Sequence, residues 1–143
     1  MLVIDDRTLL AVLAERAPEP LLRAADAGEV FTTPAWYYRL ARAVHDVGFS
    51  GSLSRMVEVL DDDLRRQVTD ALDELPATIG ILSARVLVPV MVQLSQVRRL
   101  NLLNSEAVAA AMVLGAHIQV TVAGELLRSA CSILGVELDV ISV

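Results

Sequence analysis

Short apolar runs alternate with helical patterns along this chain, and that alternation limits the fold more than any other feature. The runs are Leu2 to Ile4, EVFT (Glu29 to Thr32), TIGIL (Thr78 to Leu82), HIQVTV (His117 to Val122) and Val136 to Val143. Each is too short for a stable helix, and most are rich in β-branched residues, so they read as buried strands. A strand that returns beside its predecessor through a helix runs parallel to it. Crossovers of one hand then cover both faces of the sheet with helices. The expectation is an α/β chain with a three-layer α/β/α arrangement and a mostly parallel central sheet. Its 143 residues suit one domain spanning positions 1–143.

The helical segments carry start and stop signals. Asp5 or Asp6 offers an N-cap ahead of an apolar face begun by Leu9, Leu10, Val12 and Leu13. A second helix follows the APEP break from about Glu19 to Ala27 and closes at Gly28. Thr33 and Pro34 open a helix to about Val47, with Trp36, Leu40, Ala43, Val44 and Val47 on one face. GFSGSLS reads as a loop. Asp61 to Asp63 precede a helix bearing Leu64, Val68, Ala71, Leu72 and Leu75, where three acids complement the helix dipole. Pro76 stops that helix. Ser83 is a candidate cap for the helix carrying Val90, Met91, Leu94 and Val97, and Pro89 either marks its start or kinks it. Asn104 or Ser105 caps an alanine-rich helix stopped by Gly115, and a last helix runs from Gly124 to Leu134 before Gly135.

Composition narrows the function classes. The chain is 55% hydrophobic, yet no apolar run reaches the ~20 residues of a membrane span. The opening MLVIDDR has no basic region or cleavage-type site, so no signal peptide and a cytoplasmic location are expected. The single Cys131 falls in an apolar helical pattern and reads as a buried thiol. All twelve basic residues are arginine and the net charge is −6, which makes the chain a poor general nucleic-acid binder unless arginines cluster. The apolar excess points to an exposed apolar face, covered by a second copy or by another protein. His45 and His117 lack partners at zinc-ligand spacing, and Ser83 and Ser105 lack a catalytic frame. No phosphate-binding glycine motif is present.

Three segments together resemble the PIN domain, the fold of the toxin nucleases of VapBC toxin–antitoxin pairs. VIDDRTLLAVL is similar to the family's first strand and first acidic position. FTTPAWYYRLARAV is similar to its strand–Pro–helix segment, which bears a glutamate five residues after the proline. LNLLNSEAVAAAMVLGAHIQVTVAGELLRSACSILGVEL is similar to its C-terminal half, where an aspartate opens an alanine-rich helix ending in LGA and a T-x-D step follows the next strand. The likeness covers most of the chain. The frame LGA, VT and LGV is its most specific part.

The resemblance implies a site in which acids hold Mg²⁺ or Mn²⁺, and the metal activates water against a phosphodiester. Carried over residue by residue, only the first acid is present, as Asp5. The glutamate position is Arg39, the helix-opening aspartate is Asn104, and the T-x-D aspartate is Ala123. Asp5 and Asn104 are then vestigial catalytic positions, with no metal and no cofactor expected. Asp6 reads as a helix cap, and Glu106 as pointing elsewhere on its helix. An always-charged guanidinium at position 39 is expected to pair with Asp5, with Asn104 hydrogen-bonding alongside. The implied function is a catalytically inactive PIN-like module that binds protein or nucleic acid, with Arg7, Arg39 and Arg42 as candidate phosphate contacts. A homodimer and an antitoxin-type partner follow from the same likeness. The alternative is a Mg²⁺- or Mn²⁺-dependent ribonuclease of the VapC type with a reduced site, acting on RNA.

Overall fold

In the computed structural model of the chain, residues 1–46 and 51–143 are described. Among them five short strands form one sheet, every pairing parallel: β1 (Leu2–Ile4), β2 (Val30–Thr32), β3 (Ile79–Ile81), β4 (His117–Val120) and β5 (Leu138–Val140). Their order across the sheet is β3-β2-β1-β4-β5. The chain therefore builds outward from β1 in one direction, returns, and builds outward in the other. Helices α1 (Asp6–Leu13), α2 (Glu19–Asp26), α3 (Pro34–His45), α4 (Ser52–Glu58) and α5 (Asp62–Asp73) precede β3. Helices α6 (Ala84–Val97), α7 (Leu102–Leu114) and α8 (Glu125–Leu134) follow it.

Reversing the direction of building while keeping the crossover hand moves the later helices to the other face. The buried side chains divide accordingly. Ile4, Leu9, Leu21, Leu40, Leu53, Val68 and Leu72 belong to one core, against α1 to α5. Val3, Leu87, Leu94, Val108, Ile118 and Leu127 belong to the other, against α6 to α8. Val3 and Ile4 are successive residues of β1 with no exposed surface, and they point to opposite faces, as the two-residue period of a strand requires. This is the α/β/α layering read from the sequence. Trp36, at the start of α3, crosses the division and packs in the second core.

Local chemistry fixes most of the ends. Asp61 caps α5 by accepting the Leu64 N–H at 2.8 Å, with Asp62 and Asp63 in the first turn as expected. Thr33 caps α3, and Pro34 occupies its first turn. Gly115 and Gly135 end α7 and α8 with φ of 60° and 67°, a left-handed conformation that a Cβ would strain. In α7, residues 107–111 are all buried, and the four alanines among them let the helix lie close to β1, β4 and α6. Cys131 is buried in α8, and burial pushes its thiol pKa up. No helix among the described residues is long and apolar enough to cross a membrane.

Several boundaries differ from the sequence reading. Of the GFSGSLS segment read as a loop, Ser52 to Ser54 instead open α4, whose Leu53 and Val57 are buried. Val47, Gly48, Phe49 and Ser50 lie outside the described residues, and α3 is described only to His45. Helix α7 starts earlier than Asn104 or Ser105. Asn101 is its cap and accepts the Asn104 N–H at 2.9 Å, so both proposed caps lie inside the helix. Ser83 precedes α6 without a side-chain cap bond, and α6 continues through Pro89. The last strand is limited to Leu138–Val140.

Phe31 and Gly80 are paired between β2 and β3. A Cβ built on Gly80 would lie 2.3 Å from Phe31 Cδ1, so the ring occupies the space a side chain would need. Gly80→Ala is expected to destabilise the protein by ~1 to 3 kcal/mol through overpacking, and Phe31→Leu in the same chain should recover part of the loss. Urea denaturation of both variants measures this, and a Gly80→Ala midpoint equal to wild type would show that the ring moves freely.

Candidate functional site

In a parallel sheet, the crevice where strand order reverses opens at the strands' C-terminal ends and is the usual ligand position of such folds. Here the reversal lies between β1 and β4. Beyond their ends the chain places Asp5 and Asp6 after Ile4, and Thr121 after Val120. A cavity of about 150 Å³ occupies this crevice. Asp5, Asp6, Arg7, Arg39, Asn104 and Thr121 give it its polar wall, and Trp36, Leu103, Val120 and Leu127 are among its apolar lining. Four residues selected from the sequence, Asp5, Arg7, Arg39 and Asn104, are thus brought together from α1, α3, α7 and the end of β1.

Asp5 is fully engaged. Its Oδ1 accepts the Thr8 N–H at 2.8 Å, which caps α1. Its Oδ2 accepts the Thr121 N–H at 2.8 Å and the Thr121 hydroxyl at 2.9 Å. The Asp5 N–H donates to the Gln119 carbonyl at 3.3 Å. This side chain caps a helix and also ties β1 to the end of β4.

The expected pairing of Arg39 with Asp5 is corrected. Arg39 Nη1 lies 3.2 Å from Asp6 Oδ2. The two aspartates exchange the roles read from the sequence: Asp5 is the cap, and Asp6, inside the first turn, faces the guanidinium. The reason is geometric. An extended Asp5 turns its carboxylate back onto its own helix N-terminus and the neighbouring Thr121, leaving Asp6 on the side of α1 that meets α3. The Asp6 carboxyl is 5% exposed, and its Oδ2 accepts no hydrogen bond, so Arg39 meets it as a charge without an aligned N–H. Burial, and to a lesser extent the neighbouring Asp5 charge, hold the Asp6 pKa above the ordinary carboxylate value. Arg39, the Arg7 backbone N–H and the Arg7 charge oppose that rise.

The remaining sequence candidates divide. Arg7 lines the cavity and donates to the Ser52 hydroxyl on α4. Asn104 lines it from the first turn of α7, while Asp5 takes its bonds from Thr8 and Thr121. Ala123 lies outside the cavity lining and packs against the second core. Arg42 is also outside it, 4.0 Å from Asp46 one turn along the chain. His45 and His117 are not among the cavity lining and meet Asp73 at 3.3 Å and Glu137 at 3.1 Å. Among the described residues no three His, Cys, Asp or Glu side chains form a group that could hold a metal ion.

Two residues contribute that no sequence pattern assigns to the site. Thr121 reads from the sequence as a strand residue and as the threonine of the T-x-D step, and in the structure its N–H and hydroxyl both answer Asp5 across the switch point. Glu106 is buried, and its Oε2 accepts the Ala35 N–H at 2.9 Å. It therefore supplies α7's carboxylate to the N-terminus of α3, where unpaired N–H groups and the helix dipole favour a negative charge. This contact orients α3, and with it Trp36 and Arg39. The sequence signal available was Glu106 as the one charged residue of its helix. No family model matches the chain, and no curated protein matches its sequence.

Asp5→Ala removes a cap and leaves Thr121 without its acceptor, with an expected loss of ~2 to 4 kcal/mol. Arg39→Ala should cost only ~1 kcal/mol or less, because the guanidinium is about half exposed and screened. Urea unfolding of the two variants tests this ranking, and an Asp5→Ala loss smaller than that of Arg39→Ala would reverse it.

Asp6 gives a signed pH dependence. Its native pKa lies above the unfolded one, so the folded state holds the proton longer. Its contribution is fully present below the ordinary Asp pKa and is lost as pH rises through the raised value. The stability difference between wild type and Asp6→Asn should therefore fall across that window. Parallel pH profiles of the two proteins in urea titrations would contradict it.

Proposed function

We propose that this chain is a PIN-like protein whose nuclease site has been converted into a structural crevice, and that it acts by binding rather than by catalysis. The observation that carries the reading is the charge arrangement at the switch point. Arg39, on α3 where the resembling family carries a glutamate, faces Asp6 at 3.2 Å, while both oxygens of Asp5 are taken by Thr8 and Thr121. The parallel sheet order and the convergence of Asp5, Arg39 and Asn104 support the same alignment.

The donor set does not fit a divalent cation. Mg²⁺ needs several free oxygen ligands in near-octahedral order and carboxylate charge to offset its own. Asp5 has no oxygen free of a donor, Asn104 is neutral, and a guanidinium adds positive charge where the ion would sit. Asp6 is buried beside Arg39, and burial holds its pKa above the ordinary carboxylate value. No hydrolytic step is assigned to these residues. Arg7 and Arg39 leave phosphate contact open to the module, and an antitoxin-type protein or a second copy remains the partner class that the family likeness supports.

Two assays test this reading. Purified protein incubated with structured and single-stranded RNA and Mg²⁺ or Mn²⁺ should show no metal-dependent cleavage. Cleavage abolished by Asp5→Ala or Asp6→Asn would establish the ribonuclease alternative instead. The variant Arg39→Glu, Asn104→Asp, Ala123→Asp should acquire Mn²⁺ binding by calorimetry. A folded triple variant that takes up no Mn²⁺ would sink the PIN-like alignment itself.

A further inference from the structure

Helix α6 has an unusual environment for its composition. Its sequence, ARVLVPVMVQLSQV, is apolar on nearly every side, and a helix of that kind is normally enclosed. Yet only Leu87 and Leu94 are buried. Val88 is 50% exposed and Val92 57%, and Val86 and Val97 are similarly open. Val88 and Val92, with Pro89, lie on the side of the helix turned away from Leu87 and Leu94, bordered by the exposed but uncharged Gln93 and Gln96. Single exposed valines need no explanation, but a helix face built from them marks a contact surface.

The charges around this face are segregated. Between Glu74 and Glu106 the sequence holds no Asp or Glu, and its only charges are Arg85, Arg98 and Arg99, in a chain of net charge −6. Arg85 sits in the first turn of α6 and the other two directly after its end, so cations flank the apolar strip about 20 Å apart. Arg98 is held there by donating to the Ser129 hydroxyl of α8 at 2.9 Å.

We propose that the outer face of α6 docks an amphipathic helix of a different protein, apolar along its middle and acidic at both ends. Apolar burial is available equally to a second copy of this chain and to a foreign helix, so the ends decide between them. Laying α6 on α6, in either direction, brings arginine to arginine. Laying an acid-ended helix there brings opposite charges together at both ends and favours correct over incorrect partners. The chain's own α5 has acids at both ends, Asp61 to Asp63 and Asp73 with Glu74, but Arg66, Gln67 and Asp70 are exposed on it, so it offers no apolar strip. An anionic bilayer would also attract arginines beside an apolar face. The strip lacks the aromatic and lysine residues of interfacial helices, however, and the acidic remainder of the chain would be repelled. The surface lies outside the crevice lining, so this inference holds whether or not the crevice has lost catalysis.

The probe is a fluorescein-labelled synthetic helix of about 18 residues, with leucines at i, i+3, i+4 spacing and glutamates at both ends, and a second peptide with lysines at the ends. Anisotropy titrations at low salt should give saturable binding of the acidic peptide and little of the basic one. Val88→Ser with Val92→Ser should weaken binding about tenfold or more. Arg85→Glu with Arg98→Glu and Arg99→Glu should exchange the preference, so that the basic peptide binds and the acidic one does not. That gain of binding separates a lost surface from a lost fold. Equal binding of both peptides, no binding of the acidic one, or an unchanged preference after charge reversal overturns the proposal. So does a concentration-dependent dimer, seen by light scattering, that the two serine substitutions dissociate. Co-sedimentation with phosphatidylglycerol vesicles that the same pair abolishes would also overturn it.

Discussion

The carboxylate of Asp5 holds the centre of this molecule together. Parallel strands separated by more than 110 residues of chain meet at β1 and β4, and the last backbone bond between them runs from the Asp5 N–H to the Gln119 carbonyl. Beyond that point the two chain segments diverge into α1 and into the loop before α8. Asp5 spans the divergence, with one oxygen on the α1 N-terminus and the other on both donors of Thr121. A buried carboxylate taking three hydrogen bonds is worth more than a neutral contact in the same place. It satisfies donors that the crevice would otherwise leave unpaired.

The polarity of the crevice follows from this clasp. With Asp5 committed, Asp6 is the acid left facing α3, and the residue opposite it is Arg39. Glu106 fixes the direction from which Arg39 arrives, by binding the N-terminus of α3 from α7. The two carboxylates of the crevice are thus in different states, Asp5 saturated by hydrogen bonds and Asp6 buried beside a guanidinium, while Glu106, outside the lining, closes a helix end. The outer face of α6 is the complementary case, an apolar surface that the two internal cores do not cover.

Much of the architecture could be read from the chain because its signals are local. The strands are short apolar runs, and caps such as Asp61 and Thr33 and terminators such as Gly115 and Gly135 act on their own helices within a few residues. Boundaries failed where two local signals competed. Asn101 and Asn104 both suit a helix start, and the one that presents its side chain to an N–H three residues on is the cap. Ser52 to Ser54 look like loop in composition, but the burial of Leu53 and Val57 draws them into α4.

The site was legible only in part, for a physical reason. Periodicity and the family likeness brought Asp5, Arg39 and Asn104 to one end of the sheet, and they do line one cavity. Neither source could choose between Asp5 and Asp6, because adjacent residues at a strand-to-helix junction differ by the angle at which the chain turns. That angle is set by Thr121, 116 residues away, and by the helix N-terminus that Asp5 caps. The sequence by itself determined the alternation of elements, the parallel sheet and the residues available at its edge. Only the tertiary structure decided which acid meets the arginine, which is closed by hydrogen bonds, and that Glu106 serves a helix on another element. Those outcomes depend on distances between segments remote in the chain, and no local pattern encodes them.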